Sequence, residues 1–171
     1  MIDEIRQIRA SRIVFNDVSI TEDREYAREL FTAMIPLEKK WGGLAKINIA
    51  EDDELLDLMV RSGCVYLLIG FETLGRNALS EMNKSFNSKI DYHSAVRKLH
   101  EREIIVQGCF ILGLDQDDKE VFEQTVDAVN ELKIDIPRFA IYTPYLETKA
   151  FTRLQNEGRL LHQFWPHYDT E

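Results

Sequence analysis

Apolar and polar positions along the chain form two alternating patterns. The first is a set of short runs rich in β-branched and aromatic residues, which is typical of strands. These runs are apolar on both faces of a strand, as in a parallel sheet covered by helices. The sequence therefore predicts five strands, at residues 11–16, 43–49, 64–71, 104–113 and 137–143.

Segments of helical periodicity separate these runs. Apolar residues recur there at intervals of three and four positions, as on one face of an amphipathic helix. Acidic or hydroxyl residues stand before them, where their oxygens can accept hydrogen bonds from free backbone N–H groups. Gly63 follows one segment where a left-handed C-cap is wanted. The pattern predicts helices around residues 26–34, 55–59, 95–99 and 121–132, with start signals at 21–23, 51–53, Ser88 with Asp91, and 115–118.

This alternation predicts an α/β fold of parallel βα repeats in a single domain over residues 1–171. Periodicity alone leaves two architectures open, an open doubly wound sheet and part of a barrel. In both, ligands bind where the strands end on their carboxyl side, so the residues that follow the strands form a shortlist. They are Asn16, Asp17, Ser19, Asn48, Glu72, Thr73, Gly113, Asp115, Gln116, Tyr142, Thr143 and Tyr145.

Composition narrows the classes of function. A formal net charge of −9 repels phosphate backbones, so nucleic acid is not the expected partner. No apolar stretch reaches the roughly 18 residues of a membrane span, and the charged N-terminus lacks a signal-peptide core. Cys64 and Cys109 lie far apart inside apolar runs, which predicts two buried thiols in a cytoplasmic protein rather than a metal or redox pair.

Several shortlisted residues admit both a structural and a functional interpretation. Asp17 can bind an ammonium or hydroxyl group, or it can cap a helix. Glu72 stands two residues after Gly70, and a carboxylate at a buried strand end needs a partner. The aspartates of residues 115–118 lack the ligand spacing of a calcium loop, which favours helix capping. No P-loop, GxGxxG or GxSxG occurs, and the four histidines show no metal-ligand spacing.

Four segments together resemble a known family. They are IVFNDVSIT, ELLDLMVRSGCVYLLIGFETL, GCFILGLDQDDKEVFEQTV and YTPYLETKAFTRLQNEGRLLHQFWPHYD. In order and spacing they resemble the barrel of radical S-adenosylmethionine (SAM) enzymes, and most closely the Fe–S oxidoreductase branch that often carries an upstream cobalamin-binding domain. The resemblance implies a partial TIM-like (βα)6 barrel, of which this chain supplies strands two to six. The run at 11–16 would then be an exposed edge, which predicts self-association.

The resemblance also implies cofactors. The parent protein would use SAM and a 4Fe–4S cluster and, through an upstream domain, cobalamin. In the family a CxxxCxxC loop after the first strand supplies three thiolates, and the fourth iron binds SAM. This sequence has two cysteines and no such motif, so it resembles a part of the barrel that begins after the cluster loop. We expect the isolated chain to hold no cluster and no other metal, and to be inactive alone.

Site residues follow from the resemblance position by position. Asp17 matches the acidic position in the region that contacts the SAM amino group, and Glu72 matches the acidic position close to the ribose. Backbone near Ile111 and Gly113 would lie along the adenine, and the end of the last strand would close that side. No catalytic residue is assigned. The expected cofactor-binding residues are Asp17, Glu72, Ile111, Gly113, Tyr142 and Thr143.

Departures from the family's pattern leave more than one function open. Relatives commonly have a second acidic residue where this chain has Val18, and an amide where it has Leu44. They have Pro-Gly-Thr where this chain has Leu-Glu-Thr, at residues 146–148. The first function is part of a radical SAM enzyme that makes a 5′-deoxyadenosyl radical or methylates with cobalamin, acting on a small molecule. The second is a non-enzymatic remnant or nucleoside-binding module. A conventional lyase or aldolase would need a strand-end lysine, for which Lys46 is the candidate.

Overall fold

Five parallel strands form one sheet in the computed structural model, which describes residues 1–73 and 90–168. Each strand pairs with the strand before it in sequence, so the order across the sheet is sequential. Each of the five predicted strands is present. Their bounds are Arg12–Val14 (β1), Lys40–Ala45 (β2), Cys64–Glu72 (β3), Ile105–Leu112 (β4) and Ile136–Ile141 (β5).

Six α-helices occur within the described residues. They are Ile2–Gln7 (α1), Arg24–Met34 (α2), Asp53–Arg61 (α3), Tyr92–His100 (α4), Val121–Leu132 (α5) and Lys149–Asn156 (α6), with 3-10 helices at Ile35–Leu37, Ile47–Glu51 and Trp165–His167. The four helices α2 to α5 coincide with the periodic segments of the sequence. Along these parts of the chain, no helix combines the length and the apolarity needed to cross a membrane.

Aspartates start three of these helices, as their positions predicted. Asp23, Asp52 and Asp91 accept hydrogen bonds from backbone N–H groups one turn into α2, α3 and α4, at 3.0, 2.9 and 3.2 Å. Each bond satisfies a donor that the helix itself cannot pair. The predicted contribution of Ser88 lies outside the described residues. Gly63 has a φ of 100°, which confirms the left-handed residue predicted after α3.

The sequential strand order decides between the two architectures. A doubly wound sheet reverses its order at a switch point and carries helices on both faces. Here every crossover advances in the same direction, and right-handed crossovers of that kind place their helices on one face. The strands form a curled half-barrel with flanking helices. The predicted partial TIM-like barrel is therefore confirmed.

The core lies between the sheet and these helices. In β3 the side chains of Leu67, Ile69 and Phe71 are fully buried, and the Phe71 ring lies 5.3 Å from the ring of Tyr92 in α4. Burying one large apolar side chain stabilises a fold by about 1.5–3 kcal/mol. The alternate residues of the same strands face away from the helices, and they form the surface on which a site can be built.

The second strand lies earlier than predicted. The expected range was 43–49, whereas β2 ends at Ala45 and the chain then turns into the 3-10 helix Ile47–Glu51. Ile47 and Ile49 are fully buried in that helix, which packs against α4. The apolar alternation at these positions therefore reflects burial in a turn, which a period of two cannot distinguish from a strand.

Candidate functional site

We refer to the sheet face that points away from the helices as the concave face. In β3 the residues Tyr66, Leu68 and Gly70 alternate with the fully buried positions and are partly exposed. Parallel register carries this face across to the neighbouring strands, because paired residues point the same way. The concave face therefore continues through Gln107, Cys109 and Ile111 of β4 and through Ile136, Arg138 and Ala140 of β5.

Glu72 ends β3 in a conformation that few non-glycine residues adopt. Its φ is 65°, in the left-handed region, and the pairing of β3 with β4 is irregular between Gly70 and Glu72. A Cβ added to Gly70 would lie 2.5 Å from Oε1 of Glu72. The bulge therefore turns this half-buried carboxylate over Gly70 and onto the concave face. A backbone outlier of this kind at a strand end is a pointer to function.

One level of the concave face brings together a carboxylate, a thiol and a guanidinium. Register places Gly70, covered by the Glu72 carboxylate, beside Cys109, and Cys109 beside Arg138. Burial raises the pKa of the Cys109 thiol; the Arg138 guanidinium opposes this rise, and the Glu72 carboxylate adds to it. Neighbouring strands lie about 4.8 Å apart, so the backbones of Gly70 and Arg138 are roughly 10 Å from each other, with Cys109 between them.

A hydrogen-bonded pair forms the concave face nearer the amino ends of the strands. The Tyr66 hydroxyl donates to Oε1 of Gln107, and burial raises the pKa of Tyr66. Gly42 makes room for this ring, because a Cβ there would lie 2.5 Å from Cδ1 of Tyr66. The shortlist held residues at strand ends and therefore missed Tyr66, Gln107 and Arg138. Their sequence signal was a polar side chain inside an apolar strand.

A cleft of about 400 Å³ opens at the carboxyl ends of β4 and β5, and three expected residues line it, Gly113, Tyr142 and Thr143. Gly113 has a φ of 90°, and a Cβ added there would meet only Ile141, at 4.0 Å. Its surface is thus open to a ligand. Its backbone N–H is not, because it donates to Oδ2 of Asp117 at 2.8 Å.

The remaining expected residues are divided between two places. Ile111 lies on the concave face in register with Ala140, one residue before the end of β4. Asp17 is exposed beyond β1, at the opposite edge of the sheet from β5. The structure therefore brings Gly113, Tyr142 and Thr143 together, places Glu72 and Ile111 on the concave face, and leaves Asp17 apart from both groups.

The aspartates of residues 115–118 do three different things, whereas we predicted helix capping for them together. Asp118 alone acts at the start of α5, where Oδ1 accepts from the Glu120 N–H at 2.8 Å. Asp117 closes the loop after β4. Asp115 pairs with Arg159 and with Nη1 of Arg153, the latter at 2.6 Å. Arg159 first and Arg153 second lower the pKa of Asp115 to about 2.

The segment before α6 contains a left-handed backbone conformation at a residue that is not glycine. Glu147 has a φ of 64°, and it stands where the family pattern has glycine. Thr148 follows and caps α6, accepting from the Phe151 N–H at 3.1 Å. The signal for this unpredicted helix was the hydroxyl residue followed by Phe151 and Leu154, which are both buried.

Among the described residues, the histidine and lysine side chains form no metal site and no Schiff-base site. Within residues 1–73 and 90–168, no group of three or more His, Cys, Asp or Glu side chains converges as a metal site. His100 pairs with Asp135 at 3.0 Å. Lys46 pairs with Glu22 at 2.8 Å and is exposed, unlike the buried lysines that form Schiff bases.

The two cysteines do not fit a 4Fe–4S cluster. Cys64 is buried, and burial raises the pKa of its thiol to about 12. Cys109 was also predicted to be buried, but it is half-buried on the concave face because it alternates with the helix-facing residues Gly108 and Phe110. Three thiolates on one loop are needed to hold such a cluster with an open iron, and this chain does not provide them.

Relatives of known activity match between 78% and 93% of the chain. Bacteriochlorophyllide d C-12(1)-methyltransferase of Chlorobaculum tepidum is 35% identical over 93% of the chain, which spans 34% of that protein. Hopanoid C-2 methylase of Rhodopseudomonas palustris is 30% identical over 91% of the chain, which spans 30% of it. The anaerobic magnesium-protoporphyrin IX monomethyl ester cyclase of Cereibacter sphaeroides is 28% identical over 78%, with 22% spanned. The chain thus spans about a third or less of these relatives.

Solved structures share the fold. The radical SAM methyltransferase TsrM from Kitasatospora setae, with cobalamin and a [4Fe-4S] cluster bound, gives a TM-score of 0.69 at 17% identity, over 82% of this chain and 30% of its own. The radical SAM enzyme HemN, coproporphyrinogen III oxidase from Escherichia coli, gives 0.65 at 15% identity, over 85% and 34%. No protein-family model matches the chain. By its fold and its sequence relatives, the chain belongs to the radical SAM superfamily and forms part of that barrel.

Proposed function

We propose that this chain is the SAM-facing wall of a radical SAM enzyme that methylates or oxidises a small organic substrate in the cytoplasm. The observation that carries the proposal is the Glu72 bulge. It holds a carboxylate over Gly70 on the concave face, at the carboxyl end of the central strand. Named relatives are methyltransferases, a methylase and a cyclase, which supports chemistry at carbon.

The chain's own residues fit a nucleoside. The Glu72 carboxylate offers two oxygens that can accept from the two hydroxyls of a ribose. Ile111 and Ala140 supply an apolar surface at the same end of the sheet, and the open surface of Gly113 allows a flat base to approach. Tyr142 and Thr143 line the adjoining cleft. A few polar groups beside apolar walls are typical of a small-molecule site.

The role of these residues is to bind and orient. SAM, when bound to a reduced cluster, supplies the radical or the methyl group. Glu72 would fix the ribose, and the apolar residues beside it would exclude water from the adjoining concave face. Because no cluster thiolates are present among the chain's two cysteines, the chain by itself should bind the nucleoside without cleaving it.

A nucleoside-binding module without catalysis is the second candidate. The departures at Val18, Leu44 and residues 146–148 favour this candidate. Val18 stands where relatives have an acidic residue, and its apolar side chain, 91% exposed, offers a cofactor no polar group. Both candidates require nucleoside binding, and they differ only in chemistry. The lyase alternative has less support because Lys46 is already paired with Glu22 on the surface.

Titration calorimetry with SAM and with S-adenosylhomocysteine tests the shared requirement. We expect weak binding to the wild type and at least a roughly tenfold loss in Glu72→Ala, since a charge-assisted bond to a hydroxyl disappears. Glu103→Ala is the matched control, because Glu103 also has a positive φ, 57°, but lies before β4, at the other end of the sheet. Equal affinities for wild type and Glu72→Ala would remove Glu72 from the site.

A further inference from the structure

We propose that Arg138 binds a carboxylate of an otherwise apolar substrate on the concave face. The inference rests on the proposed function in one respect, namely that the concave face is the side on which the substrate lies. It adds a chemical class of substrate and a residue that the resemblance did not assign. Arg138 would act by positioning the substrate below the nucleoside, and it takes no part in bond breaking.

The first support is that Arg138 has no acidic partner among the described residues. No hydrogen bond or ion pair engages its guanidinium there. By contrast, Arg102 pairs with Asp53 and Asp57, and Arg159 pairs with Asp115. Acidic residues outnumber basic ones in this chain, 30 to 21, so a shortage of carboxylates does not explain why Arg138 has no acidic partner among the described residues. A guanidinium left unpaired on an inner barrel surface is free to receive a ligand.

The second support comes from the neighbours of Arg138 on the concave face. Tyr66 and Gln107 are hydrogen-bonded to each other. Cys109 lies between Arg138 and Gly70, over which the Glu72 carboxylate is held. The Arg138 guanidinium opposes the rise that burial causes in the pKa of Cys109 and of Tyr66. Arg138 is itself exposed, so its donors are accessible to a ligand on the concave face.

The third support is the apolar surface around Arg138. Toward the amino ends of the strands, Ile136 lies one level below Arg138 and Ile105 two levels below, each 45% exposed. Ala140 and Ile111 lie one level above it, toward the carboxyl ends. A planar guanidinium forms paired hydrogen bonds with a carboxylate, which fixes orientation as well as position. The match is to an apolar molecule that bears one carboxylate.

The position also fits the proposed cofactor. Two residues along a strand correspond to about 6.6 Å, so Arg138 lies one level below Ala140 and Ile111, where we place the nucleoside. A substrate anchored at Arg138 would extend from its carboxylate toward that level. The Glu72 carboxylate, held over Gly70 two strands away, would repel the carboxylate of the substrate, so one orientation is favoured.

Fluorescence titration with 1-pyrenebutyrate and with its methyl ester tests the proposal, because the two probes share their rings and differ in charge. We expect the wild type to bind the acid at least roughly tenfold more tightly than the ester. Arg138→Gln should abolish this preference, and Arg138→Lys should keep part of it. Arg61→Gln, an exposed arginine at the end of α3, changes the net charge equally and should keep the full preference.

Alkylation of Cys109 gives a second reading that does not depend on affinity fits. Cys64 is 4% exposed, so iodoacetamide should modify Cys109 in the native protein, and pyrenebutyrate should slow this reaction in the wild type. The acid should give no protection in Arg138→Gln. Mass spectrometry of the alkylated peptide identifies the modified cysteine and separates binding at this level from binding elsewhere.

Several results would overturn the proposal. They are equal affinity of the wild type for acid and ester, an unchanged preference in Arg138→Gln, protection of Cys109 that ignores the substitution, and no binding of either probe. The SAM titration separates this inference from the proposed function. Preference for the acid without any SAM binding would leave the Arg138 site standing and would contradict the nucleoside wall.

Discussion

At the scale of single residues, Gly63 joins α3 to β3 in a space that no side chain can share. Its φ is 100°, and a Cβ there would lie 1.9 Å from the backbone oxygen of Lys39. Its own carbonyl accepts from the Trp41 N–H at 2.9 Å, which begins the pairing of β2 with β3. The added Cβ would clash with a backbone atom, which cannot rotate away as the end of a flexible side chain can.

Gly63→Ala should therefore destabilise the protein by at least about 2 kcal/mol, from a strained conformation and a backbone clash together. Gly158→Ala is the control, since Gly158 has a φ of 67° but nothing within 4 Å of an added Cβ. It should cost about 1 kcal/mol, for the conformation alone. Urea unfolding of the three proteins measures both. Equal losses in the two variants would show that the clash at Gly63 is relieved.

At the scale of elements, one carboxylate ties the loop after β4 to α6 and to the chain beyond it. Asp115 bonds Arg153 of α6 and Arg159, and both arginines hold its pKa near 2. An unfolded aspartate titrates near about 3.9. A carboxyl whose pKa is lowered by folding stabilises the fold above the unfolded value, and that contribution is lost as the pH falls through the folded value.

Asp115→Asn should lower Tm at pH 7 by no more than about 4 °C, because the pairs are partly exposed. The difference from the wild type should shrink between about pH 4 and about pH 2. Asp127→Asn, on the exposed side of α5, should change Tm little at either pH. Carbon-13 NMR titration of the Asp115 carboxyl checks the cause directly. A midpoint near that of an unfolded aspartate would contradict the pairing.

Elements were more predictable from sequence than the contacts between them. Apolar period and capping residues located α2 to α5, because those signals act within a few residues. The site is different in kind. That Glu72 turns over Gly70, and that Arg138 stands beside Cys109, depends on a bulge and on the register between strands far apart in sequence, which no local pattern contains. Likewise, Asp115 could be read as a cap because its partner Arg159 lies 44 positions away.

At the scale of the whole molecule, the sheet has an edge on each side among the described residues, β1 and β5. The Phe15 N–H donates to the Gly42 oxygen, so the N–H groups of Arg12 and Val14, in alternation, point away from β2. In β5 the outward positions include Pro137, which has no N–H to offer. Proline in an outward position is one way in which proteins protect an edge. β1 has no such protection, and Val14 is 73% exposed.

We therefore expect the protein to self-associate through β1 rather than β5. Val14→Pro removes an outward donor without touching the pairing with β2, and it should yield a monomer. Phe139→Pro makes the equivalent change in β5, since Tyr142 donates inward to Leu112 and Phe139 points outward in alternation; it should associate like the wild type. Light scattering over a concentration series decides. A wild type that stays monomeric at high concentration would show that another segment covers β1, and loss of association in Phe139→Pro alone would assign the contact to β5.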